Sequence, residues 1–128
     1  MKTNVTGVVN KVYPKISKDY GSNATVKLYS NIYERLDGVI NLNDEFECYA
    51  EYLWDSDEIV LYTDNMESEE DIIRSLIHEC VHSKQDYDIY EAYYDQCDVD
   101  YETHPCEIEA EYEEEKWINY KLNTNAIG

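Results

Sequence analysis

The spacing of hydrophobic positions changes along the chain, and each change marks an element. Val5, Val8, Val9 and Val12 recur at helical spacing, which predicts a first helix over residues 3–18. Pro14 interrupts that pattern, and the β-branched valines weaken it. Residues 24–30, "ATVKLYS", alternate apolar and polar and read as a strand. "FECYAEYLW" (46–54) and "EIVLYT" (58–63) read as two more. Asp55-Ser56-Asp57 between them is a turn signal, so this pair is expected to form an antiparallel hairpin. The stretch 31–44, with Asp37-Gly38, Asn41 and Asn43, reads as loop.

The helical period returns in "MESEEDIIRSLIHECVHSKQDY". Ser68 followed by Asp71 resembles a capping box, and the acids at 67, 69, 70 and 71 suit the positive end of a helix dipole. Ile72, Ile73, Leu76, Ile77, Cys80 and Val81 fall on one broad face, and His78, Glu79 and His82 fall on the adjoining one. Residues 87–103, "YDIYEAYYDQCDVDYET", form an acidic, tyrosine-rich connection to which the pattern assigns no element. A last helix is expected to start near Pro105, in the first turn where proline is tolerated, and to run to about Leu122.

Length adds a bound. A chain of 128 residues is one domain's worth, so residues 1–128 are read as a single domain with its core over about 24–122. Fourteen tyrosines, against one Phe and two Trp, make the expected core partly amphipathic. The net charge of −19 argues against nucleic-acid binding, because phosphate contacts need Lys and Arg to displace counterions. It argues equally against anionic membrane surfaces and favours solubility through self-repulsion. No window is long and apolar enough for a signal peptide or a membrane span. Four cysteines without C-x-x-C spacing exclude a zinc ribbon, and an intracellular, reduced, cytoplasmic protein is expected. Cys80 faces away from the histidines and reads as a small buried apolar residue. Oligomeric state is not legible.

The chemistry lies in His78-Glu79-x-x-His82. Two histidines four apart stack on one helical face and can reach one metal ion. The glutamate after the first histidine points beside that ion, where it can deprotonate a water rather than ligate. Three residues compete as third ligand. Glu107 ranks first, because Glu107, Ala110 and Glu111 share one helical face. Glu111 could then accept from a ligating histidine's second N–H, and the small Ala110 would let two helices approach. Asp88, six residues after His82, ranks second, although Gln85 stands where a sharp turn would need glycine; His104 ranks third, in a pre-proline turn.

"SLIHECVHSKQ" with the later "EIEAE" resembles the zincin superfamily in its glutamate-ligand (gluzincin) branch. The likeness is to small phage and bacterial zinc metallopeptidases and, more distantly, to the ImmA/IrrE type; it covers about residues 45–118. It implies Zn²⁺ on His78, His82 and Glu107, with Glu79 as general base. The implied fold is α+β, a small mainly antiparallel or mixed three-stranded sheet packed on the active-site helix and a C-terminal ligand helix. An edge strand, with 58–63 as the candidate, would pair with an extended peptide or protein substrate. Tyr87, Tyr90, Tyr93, Tyr94 and Tyr101 would border the cleft, where one tyrosine could polarise the scissile carbonyl. The expected function is a zinc-dependent peptidase of a bacterial or phage-infected cell. The other reading is an acidic phage-type binding or inhibitor protein, such as a DNA mimic, that keeps a zinc site without turnover.

Overall fold

The computed structural model describes residues 4–31 and 49–122. The predicted loop at 31–44 and the start of the 46–54 strand thus lie largely outside the described residues.

The first helix, α1 (Val5–Tyr20), begins at Asn4, whose side chain accepts from the Gly7 N–H. It ends at Gly21, which takes the left-handed conformation (φ 68°) and returns its N–H to the Lys18 carbonyl. Pro14 lies inside α1 without ending it. Proline in a helix interior costs about 3 kcal/mol, but Val5, Val8, Val9, Val12 and Ile16 are all buried. Full burial of each such side chain returns about 1.5–3 kcal/mol. Packing therefore outweighs the local penalty.

Three strands follow: β1 (Thr25–Tyr29), β2 (Ala50–Leu53) and β3 (Glu58–Tyr62). β2 and β3 form the expected antiparallel hairpin, with Ala50 opposite Leu61 and Tyr52 opposite Ile59. Asp57 closes its turn at positive φ (54°), a conformation Asp tolerates. β1 pairs with β3 in parallel, so the sheet order is β1-β3-β2 and the fold is α+β with a mixed sheet.

That order corrects the expected substrate strand. Residues 58–62 lie in the middle of the sheet, hydrogen-bonded on both sides, and have no free edge to offer a peptide. The four consecutive buried residues Ile59, Val60, Leu61 and Tyr62 suit a strand covered on both faces. Among the described residues, β2 is the last strand of the sheet on the hairpin side.

α2 (Glu69–Ser83) forms the centre of the molecule. The Ser68 hydroxyl caps it by accepting from the Asp71 N–H. The reciprocal arm differs from a capping box, because the Asp71 carboxylate accepts from Glu67 N–H. Ile72, Ile73, Leu76, Ile77 and Cys80 are fully buried in one cluster with the valines of α1, Ile59 and Leu61 of β3, and Ala110.

The tyrosine-rich connection is not irregular. Asp86 caps a helix, α3 (Tyr87–Gln96), by accepting from the Asp88 and Ile89 N–H groups. A single 3-10 turn, Tyr101–Thr103, then leads to α4 (Pro105–Glu114). α4 is shorter than expected, because Glu115–Asn119 tightens into a 3-10 turn. No helix among the described residues is long and apolar enough to cross a membrane.

Candidate metal centre

α2 and α4 bring three side chains to one point. The four-residue spacing of His78 and His82 brings their rings edge to face, 4.8 Å between centroids. Ala110, fully buried in the core cluster between the helices, lets α4 lie against α2. Glu107, one turn earlier on α4, then reaches both imidazoles. Its Oε1 lies 2.9 Å from His78 Nε2 and 3.0 Å from His82 Nε2. All three are buried: His78 is 8%, His82 5% and Glu107 2% exposed.

Each member is held from behind. Glu114 Oε2 lies 2.6 Å from His78 Nδ1, and Gln85 Oε1 lies 2.6 Å from His82 Nδ1. The Gln85 amide in turn donates to the Cys106 carbonyl and to the Glu109 carboxylate. The Tyr90 hydroxyl donates to Glu107 Oε2. This outer layer sets the ring orientations and leaves both Nε2 atoms aimed at the same carboxylate oxygen.

The two rings and the carboxylate shift one another's proton affinity. Burial alone would lower the His78 pKa, but hydrogen bonds to Glu107 and Glu114 outweigh it and push the ring up to about 10. His82 is raised in the same way, against its own burial, chiefly by Glu107. Glu107 moves the other way: despite burial, its bonds from the two histidines hold it well below the usual carboxylate range.

The residues fit a metal ion. Two imidazole nitrogens and a carboxylate oxygen lie within 4.8 Å of one another, with burial on every member. Tetrahedral bonds of about 2.0–2.1 Å place such donors about 3.3 Å apart, a few tenths of an ångström more than the two His–Glu107 separations. Among the described residues this is the one group of its kind, and it could bind a metal ion.

No family model, curated protein or solved structure matches this chain. The site is therefore read from its own geometry.

Glu79, next to His78 on α2, is 6% exposed and does not join the trio. Burial raises its carboxyl most; the two histidines oppose that and Glu107 adds to it, leaving its pKa pushed up to about 7. It lines both of two cavities, of about 290 and 220 Å³, that flank the trio and share Ala50, His78, Glu79 and Tyr101. Along them runs β2, through Ala50, Glu51 and Tyr52.

Other expected site residues lie elsewhere. Asp88 is exposed in the first turn of α3. His104 is fully buried as the cap of α4: its Nδ1 accepts from Cys106 N–H and its Nε2 donates to the Tyr90 carbonyl. Tyr90, Tyr93 and Tyr94 pack their rings around it at 4.2–5.2 Å. Glu111 is exposed, and the carboxylate on the second nitrogen of His78 is Glu114 instead. Both share the face of Glu107, but α4 runs along α2 so that the residue seven positions on, not four, reaches the back of His78. Gln85, three residues after His82 on the same helix end, carried a spacing signal that the motif alone does not weigh.

Replacing either outer partner should weaken metal binding without unfolding the chain. Glu114→Gln and Gln85→Leu are each expected to lower zinc affinity by about 10–100-fold, measured by competition with a chromogenic chelator. Equal affinity in both variants and the wild type would show that the two contacts do not orient the histidines.

Proposed function

We propose that this protein is a zinc-dependent peptidase that hydrolyses peptide bonds with Glu79 as its general base. The observation that supports it most is the buried Glu79 standing beside, and outside, the His78–His82–Glu107 trio where two cavities meet. A carboxylate used only to neutralise the cluster would join it. This one faces the space a substrate would enter.

Zinc held by the trio would polarise a carbonyl oxygen and make water acidic enough to attack near neutral pH. Glu79 accepts the proton of that water and returns it to the leaving amine. An extended peptide lying in the cavities beside β2 places the scissile bond along the line of Ala50 and Glu51. Tyr101 overhangs both cavities. Its phenol is protonated at neutral pH like any tyrosine's and can donate to the carbonyl oxygen.

The test is metal content together with hydrolysis. The purified protein should carry about one zinc per chain and cleave an unstructured peptide library. Chelation should abolish cleavage and added zinc should restore it. Zinc well below stoichiometry, or cleavage indifferent to the chelator, would overturn the proposal.

A further inference from the structure

The two cavities differ in chemistry. The larger one contains Arg74, yet its guanidinium is surrounded: Glu70 lies at 2.6 Å, Glu115 at 2.9 Å and Glu114 at 3.8 Å. That side offers no net positive charge. The smaller cavity, on the His82 side of the trio, has an aromatic wall of Tyr52, Trp54 and Tyr90, and among the described residues no Lys or Arg lines it.

Trp54 is the hub of that wall. Its ring centroid lies 5.0 Å from Tyr52, 5.4 Å from Tyr87, 5.5 Å from Tyr90 and 6.0 Å from His82. Despite four ring neighbours it is only half-buried, so part of its surface opens to the cavity. Carboxylates lie nearby: Glu51 lines the same cavity, and others lie near Tyr87, which packs on Trp54. The Tyr87 hydroxyl donates to Glu91, and Asp55 and Asp88 are close enough to act on the same phenol.

We propose that the cavity beside Trp54 is a subsite for a cationic side chain, lysine or arginine, which makes basic peptides the substrate class of this site. The aromatic wall buries the methylene stem of such a side chain while its charged head reaches toward Glu51 and the carboxylates near Tyr87. A cation over an indole face is attracted by the ring's quadrupole, more strongly as it is desolvated. A chain of net charge −19 also draws cationic peptides toward the cleft and repels acidic ones. The inference rests on the peptidase reading for what happens to the peptide, but not for whether the subsite binds it.

The experiment uses the zinc-loaded full-length Glu79→Gln variant, so that peptides bind without being cut. Three blocked alanine-based hexapeptides differ at one position, carrying lysine, norleucine or glutamate; norleucine supplies the stem without the charge. Binding is followed by tryptophan fluorescence. The lysine peptide should bind about 5–30-fold more tightly than the norleucine peptide at low salt. The glutamate peptide should bind most weakly, and the lysine advantage should shrink at about 0.5 M salt.

Trp54→Leu in the same background should reduce that advantage to within about twofold. If that variant misfolds, Asp55→Asn with Asp88→Asn alters two exposed carboxylates instead. It should lower lysine binding about 2–3-fold and leave norleucine binding unchanged. Equal binding of lysine and norleucine peptides, or tightest binding of glutamate, would overturn the subsite. The two readings separate cleanly. Wild-type protein that cleaves all three peptides with equal kcat/KM would remove the subsite and keep the peptidase. Lysine-selective binding with no cleavage by the wild type would remove the peptidase and keep the subsite.

Discussion

Glu79→Gln is expected to cut peptide hydrolysis by about 10²–10⁴-fold, the range that a positioned general base contributes. Glutamine has nearly the same shape and can hold a water, but it cannot take a proton from it. The side chain is 6% exposed, so an amide replaces a costly buried carboxyl without opening a gap. Glu79 is not among the three converging donors, so zinc content should equal that of the wild type. Progress curves with a quenched peptide and metal analysis on the same sample measure both quantities. Activity above half of the wild type would remove Glu79 from the chemistry. The variant also separates the peptidase from an acidic binding protein with a zinc site, whose function would survive the substitution.

Glu107→Gln should have the opposite signature, with the metal itself lost. The carboxylate is the shared partner of both Nε2 atoms, and its charge offsets two raised histidines. Zinc affinity is expected to fall on the order of 10³-fold, beyond the 10–100-fold typical of outer partners. Thermal unfolding provides a second readout. Ligand at about 100 times its Kd stabilises a folded chain by about 2.7 kcal/mol, so added zinc should raise the Tm of the wild type but not of Glu107→Gln. Glu111→Gln is the control: Glu111 is exposed, and its replacement should leave the zinc response intact. A normal zinc response in Glu107→Gln would show that the third donor is another residue.

The local elements were legible because their signals are local. The period of Ile72, Ile73, Leu76 and Ile77, the Ser68 cap and the Pro105 start each act within one or two helical turns. The hairpin was legible for the same reason, from two β-rich runs joined by Asp55-Ser56-Asp57. α3 was the local miss. Asp86 stands as its cap, but the helix exposes Ile89 and turns tyrosines toward His104, so no apolar stripe marks it. Pro14 misled in the other direction, since a breaker's cost is local while the gain of burying five residues of α1 is tertiary.

By itself the sequence determined that His78 and His82 share one helical face with Glu79 beside them, because helical geometry alone imposes that spacing. It also narrowed the third donor to Glu107, Asp88 or His104. Which of these meets the histidines depends on how α4 lies on α2, and Ala110 buried between the helices is what permits that approach. The same holds for Glu114 in place of Glu111, and for β3 lying between β1 and β2. Pairing order and helix docking are contacts between residues 20 to 60 apart in sequence, decided by which surfaces bury together rather than by any neighbouring residue.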